Sequence, residues 1–173
     1  SRLYLQVPAD EKIENWSDDR FWNELHTRMY DTGNEIVEGE IFQRDLAGLR
    51  SFVAEPMRHG RLFIAGDAAH IVPPTGAKGL NAAVADVRVL AKALGEFYRD
   101  GSTAGIDTYS RECVERVWRV VRYSTHMSAL LHRFDHTPMD RNLQLADLET
   151  LSRSRAAQTA IAEQYVALNS VND

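Results

Sequence analysis

A single cysteine, Cys113, stands in 173 residues. That excludes an internal disulfide and fits a reducing compartment. No apolar run approaches the roughly 20 residues of a membrane-spanning helix, and no secretory signal opens the chain. Basic residues form no block, and the formal net charge is −5. A general binder of the nucleic-acid backbone is therefore excluded. Repeats and low-complexity segments are absent as well. What remains is a protein of ordinary composition, 44% hydrophobic and 26% charged, long enough to bury a core and expected in the cytoplasm with neither membrane nor nucleic acid as partner.

Proline and glycine are sparse but clustered. Of five prolines and ten glycines, Pro73, Pro74, Gly66, Gly76 and Gly79 fall in "GDAAHIVPPTGAKGLNAA", residues 66–83. The regions on either side are periodic. In "RLYLQV" the alternation predicts a half-buried strand, with Leu3, Leu5 and Val7 on one face and Arg2, Tyr4 and Gln6 on the other. A strand pattern at the very start needs partners for its edges, so the chain is expected to be the C-terminal part of a larger protein.

"WSDDRFWNELHTRM" predicts a helix capped by Ser17, with Asp18 and Asp19 at its positive end and an apolar stripe of Phe21, Trp22, Leu25 and Met29. The turn-rich "YDTGNEIVEG" comes next. "EIFQRDLAGLRSFVAEP" predicts a strand broken near Gly48 and ended by Pro56, and Leu62–Ala65 a short buried strand. From Leu80 to about Tyr98 a helix is expected, with Leu80, Ala83, Val84, Val87, Leu90, Leu94 and Phe97 as its stripe. Ile106, Tyr109, Cys113, Val117 and Val120 mark another, continuing through Met127, Leu130 and Leu131. After the interruption at Pro138, "MDRNLQLADLETL" and "RAAQTAIAEQYVAL" supply two more helices.

The order strand, Gly-Asp, rigid loop, helix has chemical content. Asp67, the one carboxylate that looks buried in the sequence, stands at the carboxyl end of a strand, where it can accept hydrogen bonds from ligand hydroxyls. Gly66 permits close approach of a backbone or a ligand. Pro73 and Pro74 exclude helix and set an extended path, and Pro74 offers a carbonyl without an N–H. Residues 75–79 turn tightly ahead of a helix N-terminus, whose free N–H groups favour negative charge, and Asn81 adds a donor and an acceptor. A ribityl or ribose chain joined to a ring that becomes anionic satisfies both halves. A plain strand-to-helix connection is the competing reading.

"RLFIAGDAAHIVPPTGAKGLNAAVADVRVLAKAL" resembles the second FAD-binding segment of the single-component FAD-dependent aromatic hydroxylases, and its Gly76-Ala77-Lys78-Gly79 is similar to the branch acting on 4-hydroxybenzoate. Weaker likenesses run through "YLQVP", "WSDDRFWNEL", "LRSFVAEPM", "LLHRF" and "IAEQYV". The resemblance implies an α/β flavoprotein, α+β within this stretch. Residues 1–56 would end the substrate-binding sheet domain, 57–100 would be the second FAD-binding segment, and 101–173 a helical interface region. It implies FAD as cofactor, NADPH as co-substrate, an aromatic hydroxy acid and O2 as substrates, a homodimer, and an N-terminal FAD-binding part elsewhere. The reaction implied is ortho-hydroxylation of 4-hydroxybenzoate to 3,4-dihydroxybenzoate through a flavin hydroperoxide. Hydroxylation of another aromatic acid and a non-catalytic helical assembly module are the alternatives. Without the N-terminal part, the stretch by itself is expected to be inactive.

By the same resemblance, Asp67 binds ribose or ribityl hydroxyls. The backbone of Gly76, Ala77, Gly79, Leu80 and Asn81 holds the pyrimidine side of the flavin, and Arg2 lies near the ring. Arg50 helps receive NADPH. Tyr4 helps bind the substrate carboxylate, Pro74 offers its carbonyl to the substrate phenol, and Tyr165 belongs to the chain removing the phenolic proton. The end of the chain departs from the family pattern at Ala167 and in "NSVND".

Other features carry less. His132, Asp135 and His136 lack a further ligand at metal spacing, so no metal is expected. His70 reads as a structural hydrogen-bonding group and Cys113 as a packed residue. "SRSRAAQ" reads as a solvated helix face.

Overall fold

A computed structural model describes residues 1–30, 33, 35–133 and 137–166. The chain divides into two units, Ser1–Leu49 and Arg50–Asp173.

The first unit is organised by helix α1, Asp18–Met29. Ser17 accepts the Arg20 N–H at 3.2 Å, and Asp18 and Asp19 occupy the first turn as the dipole favours. Leu25 is buried, with Phe21, Trp22 and Met29 partly buried beside it, so the predicted stripe is the packed one. Arg20 lies over the Trp16 ring at 4.3 Å, and Arg44 reaches the Trp16 carbonyl and Asp18. The strand expected at residues 2–7 does not form; residues 1–8 have no regular structure. Leu5 and Val7 keep the inward half of the alternation, yet no ladder partner stands beside them among the described residues. A strand exists only by pairing.

The second unit opens with short antiparallel pairs. Strand β1 is Phe52–Val53, β2 Arg58–His59, β3 Leu62–Phe63 and β4 His70–Ile71. Phe52 pairs with Ile71 and Val53 with His70; Arg58 pairs with Phe63 and His59 with Leu62. The long strand expected across residues 40–56 shrinks to β1, because among the described residues the ladder there pairs only Phe52 and Val53, with the Ala54 N–H extending it to the Ala69 carbonyl. The expected buried strand Leu62–Ala65 is likewise a two-residue hairpin arm, with Leu62 65% exposed.

Among the described residues, helices α2 Gly79–Asp100, α3 Ala104–Leu131, α4 Pro138–Arg153 and α5 Arg155–Val166 follow. Helix α2 ends at Gly101, whose left-handed backbone (φ 72°) returns its N–H to the Phe97 carbonyl at 2.9 Å. Pro138 opens α4 within a reciprocal Thr137–Asp140 cap. Gln144 of α4 donates back to the carbonyls of Ala129, Leu130 and His132 at 2.9–3.0 Å, satisfying the end of α3.

The core joins Met57, Ala69, Tyr109 and Cys113, with Phe63, Ile64, Val89, Leu90 and Val114 against it. The Tyr109 hydroxyl donates to the Ile64 carbonyl at 2.8 Å, and Ser110 accepts the Met57 N–H at 2.9 Å. The β2–β3 hairpin is thereby fastened to α3. Burial pushes the Cys113 thiol up to about 12 and Tyr109 well above an ordinary phenol.

Helix α2 forms where expected, and its predicted stripe is packed in part: Ala83, Leu90 and Leu94 are partly buried, Leu90 against the core. Leu80 (77% exposed), Val84 and Val87 of the predicted stripe face outward. Ala82, Asp86 and Ala93 are buried, with Val89 partly so. Small residues let α2 approach its neighbours closely, Ala83 at Gly66 and Ala93 at Gly105. The fold is mostly helical with small antiparallel sheets, α+β in character. No helix among the described residues is long and apolar enough to cross a membrane.

Candidate functional site

The site grows from the loop between β3 and α2. Gly66 takes a positive φ of 61°, and a Cβ there would lie 3.2 Å from the Ala83 Cβ. The residue that comes close to Gly66 is thus a side chain of α2. Gly66–Ala68 forms a single 3-10 turn that leaves Asp67 exposed. After β4, Pro73 is extended and Pro74–Gly76 makes a second 3-10 turn. The loop expected to be neither helix nor strand is therefore two tight turns around a short β pair.

Helix α3 seats the second turn. A Cβ on Gly76 would meet the Ser124 Oγ at 2.5 Å and the Tyr123 ring at 3.3 Å, so only glycine fits this contact unmoved. Thr75 and Ser128 share a 2.6 Å hydroxyl bond, and Ser128 donates to the Ser124 carbonyl. Ala77 takes the left-handed conformation (φ 50°), and its N–H donates to the Pro74 carbonyl at 2.8 Å. One lone pair of that carbonyl is used inside the turn, and the second remains open.

Asp67, His70, Ile71, Val72, Pro74, Ala77, Lys78, Gly79 and Leu80 line an open pocket of about 380 Å³. The N-terminus of α2 forms one wall. Its first bond runs from the Ala82 N–H to the Lys78 carbonyl, so the amides of Gly79, Leu80 and Asn81 come ahead of it. Among the described residues no side chain caps this end, and no acid occupies its first turn. Uncapped donors at the positive end of a 22-residue helix suit a group that carries negative charge. A carboxylate across the pocket suits hydroxyls. The donor set fits a flavin with its ribityl chain.

Five of the residues singled out in the sequence, Asp67, Pro74, Ala77, Gly79 and Leu80, meet in this one pocket. Gly76 is buried against α3, and Asn81 is exposed in the first turn of α2. Tyr165 is 51% exposed. Lys78 connects it to the pocket: the ammonium lies 4.0 Å from the Tyr165 ring centre and bonds its backbone carbonyl. The Tyr165 ring stands 6.2 Å from that of Tyr123. Arg50 is exposed and does not line the pocket. Arg2 and Tyr4 belong to the first unit, where Tyr4 is 80% exposed. Ala167 and the tail, like Asp135 and His136, lie outside the described residues. No group that could hold a metal occurs among the described residues.

Sequence reasoning chose the wrong carboxylate as buried. Asp67 is exposed, whereas Asp86 is 0% exposed. One Asp86 oxygen accepts from the Gly66 N–H (3.1 Å) and His70 Nε2 (2.7 Å), and the other from Arg116 (3.0 Å). Burial alone would raise its pKa, but the bonds from His70, Gly66 and Arg116 outweigh that and hold it below the usual carboxylate value. His70 is the structural hydrogen-bonding group expected. The spacing of Asp86 from Ala82, Val89 and Ala93 was the available signal, masked by the larger side chains of the outward stripe.

Residues 1–124 match the family described as FAD binding domain, and the chain belongs to it. FAD is the cofactor this membership brings. The chain is 52% identical over 170 residues to a p-hydroxybenzoate hydroxylase from Acinetobacter baylyi, covering 97% of this chain and 42% of that protein. The chain thus spans well under half the length of that relative. Over 61 residues, 35% of this chain, it is 46% identical to a tetracenomycin B2 monooxygenase-dioxygenase from Streptomyces olivaceus, covering 11% of it. A 3-(3-hydroxy-phenyl)propionate/3-hydroxycinnamic acid hydroxylase from Mycobacterium avium is 27% identical over 132 residues, 75% of this chain and 22% of that protein. The resemblance read from the "GDAAH" segment is borne out.

Proposed function

We propose that this chain is part of an FAD-dependent aromatic hydroxylase that converts 4-hydroxybenzoate to 3,4-dihydroxybenzoate with NAD(P)H and O2. The observation that carries the reading is the 52% identity to a p-hydroxybenzoate hydroxylase along nearly the whole chain. The pocket at the start of α2 supports it from the side of chemistry. Residues 1–56 belong to the substrate-binding sheet domain, 57–100 supply the second FAD-binding segment, and 101–173 form a helical region through which a homodimer assembles. The setting is cytoplasmic.

Bound FAD supplies the redox chemistry between NAD(P)H and O2. The protein's own groups do the rest. Asp67 accepts hydrogen bonds from ribityl or ribose hydroxyls. The amides of Gly79, Leu80 and Asn81, with the α2 dipole, stabilise negative charge on the pyrimidine side of the ring, and Gly76 and Ala77 shape the backbone beneath it. The open lone pair of the Pro74 carbonyl accepts from the substrate phenol, and Tyr165 takes its proton onward, favouring the more nucleophilic phenolate. Tyr4 receives the substrate carboxylate, Arg2 lies near the flavin, and Arg50 helps receive NADPH.

The test uses the flavoprotein that carries this chain. Purified protein is expected to hold FAD and to oxidise NAD(P)H faster with 4-hydroxybenzoate present, releasing 3,4-dihydroxybenzoate. Faster turnover of another aromatic acid would replace the substrate, and absence of bound flavin would overturn the reading.

A further inference from the structure

The buried Asp86 carboxylate does more than pair charges. Its partners come from three places: the backbone N–H of Gly66, the ring of His70, and the Arg116 guanidinium of α3. Gly66 directly precedes Asp67, and His70 itself lines the pocket. The two ends of the loop that carries Asp67 are therefore tied to one side chain, on the helix whose N-terminus is the opposite wall.

The geometry points to Asp86 as a positioning residue of the pocket: by holding Gly66 and His70 from inside, it aims the exposed Asp67 carboxylate at the ligand. This rests on the reading of that pocket as the FAD site. A turn with a positive-φ glycine has no side chain of its own at that point to fix its orientation, so an acceptor beneath it sets the direction. Asp86, being ionised, can only accept, which places the proton on His70 Nε2 and sets the ring's tautomer. Arg116 donates to the other oxygen and to Cys113 Sγ, and among the described residues it has no hydrogen bond to Gly66 or His70. The two halves of the cluster can accordingly be separated by mutation.

The experiment titrates FAD into the apo form of the flavoprotein and records the thermal midpoint of each apo variant. Asp67→Ala is the control and is expected to lose about tenfold or more in affinity. His70→Leu and Asp86→Asn are expected to lose a similar factor, the second because its amide N–H₂ must face either Arg116 or the loop donors. His70→Gln, which restores a donor near Nε2, and Asp86→Asn combined with Arg116→Gln, which removes the donor clash, are each expected to return to within about threefold of the parent. Arg116→Gln alone is expected to stay in that range even where it lowers the thermal midpoint. Three outcomes overturn the proposal. The first is affinity within about threefold in both Asp86→Asn and His70→Leu while Asp67→Ala falls. The second is affinity that follows the thermal midpoint across all variants, Arg116→Gln included. The third is unchanged affinity in Asp67→Ala, which removes the underlying FAD site as well. Should Asp86→Asn fail to fold, the His70→Leu and His70→Gln pair decides.

Discussion

Replacing Gly76 by alanine tests whether the Pro74–Gly76 turn is held by close packing on α3. The added Cβ would stand 2.5 Å from the Ser124 Oγ and 3.3 Å from two Tyr123 ring carbons. Neither neighbour yields freely. Ser124 is fully buried on α3, and the Tyr123 ring is buried beside Tyr165. Overpacking of this kind costs about 1–3 kcal/mol. Alanine recovers about 0.4–1 kcal/mol by restricting the unfolded chain, since the backbone at Gly76 is not left-handed. The net expectation is a loss of about 1–2 kcal/mol, read from the midpoint of urea unfolding of the apoprotein.

The Ser124 hydroxyl supplies the internal check. It has no hydrogen-bond partner among the described residues, so Ser124→Ala is expected to be neutral or mildly stabilising. In the Gly76→Ala background it also removes the shortest contact. The double variant should therefore regain about 1 kcal/mol beyond the sum of the two single changes. Full stability in Gly76→Ala, or further loss in the double variant, would refute the packing argument.

Three other outcomes are expected. Tyr4→Phe weakens binding of 4-hydroxybenzoate but leaves plain phenol unchanged in a binding titration, and equal losses for both would remove Tyr4 from the carboxylate. Its exposed position predicts a stability change within about 0.5 kcal/mol. Tyr165→Phe keeps FAD binding but lowers the ratio of hydroxylated product to NADPH consumed, with hydrogen peroxide as the balance; a parental ratio and an unshifted titration of the bound phenol, followed by absorbance, would refute its role in the proton chain. Finally, burial holds the Cys113 thiol up to about 12. The folded state keeps this proton after the unfolded thiol, with a pKa of about 8.5, has lost it. That contribution is complete below the unfolded value and declines as pH rises toward the folded one, by up to about 1.4 kcal/mol per pH unit. Unfolding midpoints between pH 8 and 10 should fall less steeply in Cys113→Ala, and equal slopes would count against the buried thiol.

How much was legible in advance follows from where each signal resides. Helix α1, with its Ser17 cap and its Phe21, Trp22, Leu25 and Met29 stripe, is written in spacings of three and four residues, and the chain obeys them locally. The same holds for the positions of α2, α3, α4 and α5. The pocket loop was legible because prolines, glycines and an acid between a strand and a helix restrict the backbone wherever they fall. Tertiary structure alone decided the rest. The expected strands at residues 2–7 and 40–56 depended on partners remote in sequence, and where no partner stood the alternation left irregular chain. Helix α2 carries apolar residues around much of its circumference, and periodicity cannot set where the buried face ends. Close approach of Ala83 to the Gly66 turn and of Ala93 to Gly105 of α3 buried Asp86 and left Leu80 and Val87 outside. Lys78 and Tyr165, 87 residues apart, met only because α5 folds back to the loop. Burial is a property of neighbours, so the carboxylate that looked buried beside its glycine is the exposed one, and the one on the helix became the hub.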